Sequence, residues 1–247
     1  MIIKISIVLL IASFANAQHP RDFVADDALS VLSIKDGNAV NAIIETIYDG
    51  QTSEFANMRY LDMFLAQMFE DPTAIDLSYE FLISVEPTML AQGQRPTGMF
   101  GPMPHLVVMC KAKEGRTVKP LQSMLNSSTT VDGWFIASGE DAVTVRTKKE
   151  LSPIFAFMPT AQIGNVIRFN SIWQKFGQIA QMAGGMYIGT MSKPGLDGVI
   201  SPGQRSRTAA TGDAFRQLTA WCGTIDNISV GLNIENFELT TTIARKM

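Results

Sequence analysis

The sequence predicts an α+β fold: an antiparallel or mixed sheet with helices packed on one face. Three observations predict it. Short apolar, β-branched runs are bounded by turn residues, as in 28–35 (ALSVLSIK), 79–85 (YEFLISV) and 105–111 (HLVVMCK). Some of these runs lead through a polar turn into a segment with helical spacing, so that strand, turn and amphipathic helix recur as a unit. Hairpin patterns lie between the units, which separates the chain from a regular series of parallel crossovers.

The elements follow in order. After the first strand, Asp36-Gly37-Asn38 supplies a turn and a helix cap. Val40, Ile43, Ile44, Ile47 and Tyr48 then share one helical face, up to Asp49-Gly50. Ser53 caps a second helix with apolar positions Phe55, Met58, Leu61, Leu65, Met68 and Phe69, stopped by Asp71-Pro72. Residues 87–104, rich in proline and glycine, read as a flexible loop between the strands at 79–85 and 105–111. Val118, Leu121 and Leu125 suggest a short helix. Residues 133–138 and 142–147 suggest a hairpin turned by Gly139-Glu140-Asp141. A strand at Ile163–Phe169 leads into a helix capped by Asn170 or Ser171, with Ile172, Phe176, Ile179 and Ala183 on its face. Residues 192–212 lack periodicity and read as a second flexible loop. A helix follows, with Phe215, Leu218, Trp221 and Ile225 on one side. Alternation over Ile228–Ile234 and Phe237–Ile243 closes the chain as an antiparallel hairpin with one buried face.

The N-terminus carries its own instruction. Lys4 precedes a mostly apolar run, Ile5–Phe14, and then Ala15-Asn16-Ala17. A basic start, a short apolar stretch and small residues before the cut form a secretory signal peptide, with cleavage between Ala17 and Gln18. The run falls short of the roughly 20 apolar residues that cross a bilayer. The expectation is therefore a periplasmic or secreted domain over 18–247, with no transmembrane segment. Removing Lys4 leaves 19 basic and 23 acidic residues, a net charge of −4. That balance offers no overall basic field for nucleic acid.

Chemistry-bearing residues are few. The histidines are His19 and His105. His19 becomes the second residue of the mature chain, where order is expected to be poor. His105 stands where the Pro-rich loop enters a strand. Nothing matches a His-based nucleophile arrangement, zinc-ligand spacing, a phosphate-binding glycine loop or an EF-hand. No catalytic residue and no cofactor is assigned. Cys110 and Cys222 lie in apolar segments, so they are either two buried thiols or, in an oxidising compartment, one disulfide. The polar residues at the three strand–helix turns, Asp36, Glu114 and Asn170, read as helix caps. The sharpest metal pattern is Met99, Met103 and His105, flanked by Met89 and Met109. Thioethers and imidazole are soft ligands suited to Cu(I). The competing explanation is adaptable apolar filler on a loop.

Four segments carry a resemblance: ALSVLSIKD at 28–36, AIDLSYEFLISVEP at 74–87, DGWFIASGEDAVTV at 132–145 and TIDNISVGLNIENFEL at 224–239. With them, residues 24–243 resemble a family of uncharacterised exported proteins of planctomycete-type bacteria. The motifs are structural patterns, and the resemblance implies export without implying an activity or ligand. Members of that family are often longer, so the resemblance implies either a shortened member or a truncated reading frame. Three functions follow as expectations: a non-enzymatic binding or structural component of the envelope; a carboxylate-based hydrolase; or a periplasmic Cu(I)-binding protein. A protein partner or a second copy is expected at the open sheet.

Overall fold

A computed structural model describes residues 19–48, 60–88, 103–140, 151–191, 193 and 200–246. The signal segment, the start of the second helix, most of the 87–104 loop and the strand expected at 142–147 lie outside these residues. The fold is α+β, with one open, eight-stranded antiparallel sheet. The strands are β1 (Ser30–Ile34), β2 (Phe81–Glu86), β3 (His105–Lys111), β4 (Ser127–Val131), β5 (Trp134–Ser138), β6 (Ile163–Ile167), β7 (Ile225–Asn233) and β8 (Glu238–Arg245). Their spatial order is β4-β5-β3-β2-β1-β6-β7-β8. The helices are α1 (Gly37–Tyr48), α2 (Tyr60–Leu65), α3 (Phe169–Met191) and α4 (Pro202–Cys222). The chain divides into two compact units, Met1–Val166 with Val230–Thr240, and Ile167–Ser229 with Thr241–Met247.

In the first unit the central strands are buried on both faces. Pleating sends alternate side chains to opposite sides. Ile34 pairs with Phe81, Ile83 with Val108 and Cys110 with Phe135, which forms one apolar face. Val40 of α1 and Leu61 and Leu65 of α2 cover that face, together with Phe69, Ile75 and Leu125. The opposite face, with Val31, Leu82, Met109, Trp134 and Ile136, is covered by short 3-10 turns at Pro20–Phe23 and Pro153–Phe157. Helices thus occupy one face, as expected, and irregular chain the other.

Local chemistry explains α1 and its link to α2. Asp36 Oδ1 accepts the amides of Asn38 and Ala39, at 3.0 and 3.1 Å. Gly37 is required by crowding: a Cβ there would lie 2.8 Å from Leu61 Cδ2 and 3.1 Å from Leu77 Cβ. Buried Asn41 accepts the amide of Leu61 at 3.3 Å, so a side chain of α1 caps the first turn of α2.

The structure corrects several expectations. Residues 118–125 form turns with no helix, and Pro120 bridges Phe69 in antiparallel fashion. Val118 and Leu125 are still buried, so apolar spacing reported burial and misassigned the backbone. The hairpin partner of β5 is β4, joined through Asp132-Gly133 at φ 49° and 79°. Two positive φ values in a two-residue loop match the twist of paired strands, and Asp-Gly favours them. Helix α3 runs on to Met191, and α4 begins at Pro202, inside the segment read as a loop. Ser201 Oγ accepts the Gln204 amide at 3.1 Å, an N-cap followed by proline. Glu114 sits in a turn and Asn170 inside α3, so of the three strand-turn polar residues Asp36 alone caps as expected. The final hairpin exists, but β8 is exposed along nearly its whole length.

Both cysteines are free thiols. Burial of Cys110 pushes its thiol up to about 12 from an ordinary value of 9.0. A folded-state value above the unfolded one stabilises fully below pH 9, and the contribution is lost as pH rises toward 12. Thiol labelling at neutral pH should therefore modify Cys222 and spare Cys110 until the protein unfolds. The wild type should also lose stability in alkali more steeply than Cys110→Ala; equal slopes in denaturant titrations would refute this.

Candidate functional site

Two polar clusters stand out in the first unit. The larger surrounds Glu80, just before β2, whose side chain is 8% exposed. Arg21 grips it from the N-terminal 3-10 turn: Nε donates to Oε1 and Oε2 at 3.1 and 3.0 Å, and an Nη atom donates to Oε1 at 2.7 Å. Ser33 Oγ donates to Oε1 at 2.5 Å, and His19 Nε2 lies 3.5 Å from Oε2. Aromatic rings frame the cluster. Trp134 lies 6.3 Å from His19 and 6.2 Å from Tyr79, centroid to centroid. Lys111 Nζ stands 4.7 Å from the Tyr79 ring centre and 5.4 Å from that of Trp134. The Arg21 guanidinium lies 5.3 Å from the Phe155 ring centre.

The arrangement contains serine, histidine and carboxylate in an order that cannot act as a nucleophile relay. A relay places histidine between hydroxyl and acid, so that imidazole takes the hydroxyl proton. Here Ser33 donates directly to Glu80. His19 Nδ1 accepts the Arg21 amide at 3.4 Å, which assigns the neutral ring's proton to Nε2. No ring nitrogen faces Ser33 as a base, and Ser33 is itself buried. The Arg21 fork neutralises the carboxylate. The cluster clamps residues 19–24 onto the sheet. His19 is also the N-cap of its turn, and its own amide donates to Asp22 at 2.8 Å. His19, expected to be poorly ordered, is tied into its turn by these hydrogen bonds. A second carboxylate completes the clamp: Glu86 Oε1 accepts the amide of buried Ala25 at 3.1 Å, and Ser152 Oγ donates to the Ala25 carbonyl at 2.9 Å.

The smaller cluster surrounds His105 at the start of β3. Its Nδ1 lies 3.2 Å from Glu140 Oε1 and 3.4 Å from Thr88 Oγ1, and Glu86 is its register partner on β2. The Thr88 hydroxyl donates to the Met103 carbonyl at 2.6 Å. A carboxylate beside Nδ1 fixes the proton there and leaves Nε2 as the lone-pair nitrogen. Met103 is 69% exposed, whereas Met109 is fully buried in the core. Met89 and Met99 lie outside the described residues. Among the described residues, no three histidine, cysteine, aspartate or glutamate side chains converge as metal ligands.

In the second unit, a depression of about 500 Å³ is lined by Met191, Ser201, Gly203, Gln204, Arg207 and Thr208. Gln204 Nε2 donates to the carbonyls of Met191 and Lys193, at 2.9 and 2.8 Å. These bonds satisfy carbonyls left open at the end of α3 and hold the helix hairpin closed.

No family model, curated protein or solved structure matches the chain. The residues that sequence reasoning missed are Arg21, Ser33 and Glu80. Their signal is long-range, since Arg21 and Glu80 are 59 residues apart. Replacing Glu80 with Gln should cost about 2–3 kcal/mol, between the values for exposed and fully buried pairs. It should also open residues 19–24 to proteolysis ahead of the rest of the unit. A loss under 0.5 kcal/mol, roughly that of an ordinary surface substitution, would remove the clamp from this account.

Proposed function

We propose that this chain is an exported, non-enzymatic component of the bacterial envelope that works by binding another protein through the α3–α4 hairpin. The surface of that hairpin carries the reading. Across α3 and α4 the one buried residue is Gly177. Met182, Met186, Tyr187, Leu218 and Trp221 are all exposed. Exposed methionine and aromatic side chains are characteristic of binding surfaces. Charge indicates the partner's chemistry. The second unit holds eight basic and three acidic residues, net +5, within a chain of net −3. An acidic protein surface complements it. Export rests on the signal pattern at 1–17, and the resemblance to exported planctomycete-type proteins agrees with it. Among the described residues, no helix is long and apolar enough to cross a membrane.

Expression in a Gram-negative host should give a periplasmic product whose N-terminal sequence starts at Gln18. A photocrosslinking residue at Tyr187 should capture an acidic envelope protein, and capture should fall in Trp221→Ala. A product starting at Met1 in the cytoplasm overturns export. Absence of any crosslinked species overturns the docking role.

The His105 geometry favours a second reading, Cu(I) binding. Glu140 beside Nδ1 leaves Nε2 available, with exposed Met103 nearby in sequence. Metal analysis of purified protein should find copper, and replacing Met99 and Met103 should remove it. Unchanged copper uptake would end this reading.

A further inference from the structure

Among the described residues, the two edges of the sheet differ. Strand β4 is a short edge of five residues, SSTTV. Strand β8, the other edge, has eight residues, ELTTTIAR, with no proline or glycine. Proteins usually blunt an edge with short length, proline, bulges or inward charges. Strand β8 has none of these in its centre, and it exposes Leu239 and Ile243. Phe237, just before it, holds an exposed ring on left-handed backbone at φ 53°.

The free hydrogen-bonding groups can be assigned. The Lys246 amide donates to the Thr224 carbonyl at 2.9 Å, at the open end of the β7–β8 hairpin. Amides along an antiparallel strand alternate in direction. Even-numbered residues of β8 therefore face β7. Leu239, Thr241 and Ile243 turn their backbone groups outward.

The central pentapeptide Leu239-Thr240-Thr241-Thr242-Ile243 has the same chemical pattern in both directions. We propose that β8 pairs antiparallel with β8 of a second copy, about a two-fold axis through Thr241. In this register Leu239 faces Ile243 of the second copy, and the same contact repeats across the axis. Thr241 faces its own counterpart, and Thr240 faces Thr242. Phe237 faces Arg245, a cation–π pair at each end. No like charges meet, Leu239 and Ile243 face apolar partners, and Glu238 faces the small side chain of Ala244. A two-fold interface requires such self-complementarity, and the register centred on Thr241 supplies it. The neighbouring register, centred on Thr242, would set Leu239 against Arg245. This edge is separate from the helix hairpin, so either assignment can fail without the other.

The purified protein should sediment as a dimer at micromolar concentration. Thr241→Lys and Thr241→Glu each place like charges across the axis, at a side chain exposed in the monomer. Each variant alone should dimerise at least about tenfold more weakly, with an unchanged circular dichroism spectrum. Mixing the two should restore dimers containing one chain of each, because opposite charges then meet on the axis. A monomeric wild type overturns the proposal. So do variants that dimerise as well as wild type, or a mixture no more dimeric than its parts.

Discussion

Burial of the central strands on both faces is the constraint from which the rest of the first unit follows. A strand such as β2, FLISVE, exposes almost no side chain to water on either side. Each face must be covered, and the chain covers them differently. On one face α1 and α2 bring whole apolar stripes. On the other, irregular segments lie flat and cannot satisfy their own peptide groups. Side chains do it for them: Glu86 takes the Ala25 amide and Ser152 the Ala25 carbonyl. Glu80 anchors the turn that precedes them. The buried acids of this unit are thus structural because its second layer is not helical.

That role explains why the Glu80 cluster gathers the groups of a nucleophile relay without being able to act as one. Carboxylate, imidazole and hydroxyl gather wherever a buried backbone must be held. What separates a clamp from a relay is the direction of the protons. Around Glu80 every donor points at the acid. Around His105 the acid fixes the ring and leaves the lone pair on Nε2.

The sequence made legible those elements whose local signals agree. Strand β3 matches its continuous apolar run, and α1 its Asp-Gly-Asn start and its Val40, Ile43, Ile44 spacing. Strand β4 was invisible because SSTTV is an edge with little to bury. The first half of α4 was invisible because residues 202–212 carry no apolar stripe, unlike the Phe215, Leu218 and Trp221 that follow; its Ser201-Pro202 start was the available clue. At 118–125 the spacing was real and the inference false, since an irregular segment can also place Val118 and Leu125 into a core. The clamp was illegible for another reason: salt bridges between residues far apart in sequence leave no periodic trace. Net charge hid a further feature, because an acidic total concealed a basic second unit.

Strand β1 has β2 on one side and β6 on the other. Ser30 of β1 meets Asn165 of β6 across 135 residues of chain. The centre of the sheet therefore cannot be built by adding each new strand to its predecessor. As the chain is made, β1 and its first neighbours wait with one side open until β6 arrives. Bringing such distant segments together costs entropy before any contact rewards it, which slows folding far more than it lowers final stability. The topology thus marks this as a slow-folding domain, whose most exposed stage is an incomplete sheet with β1 as a temporary edge.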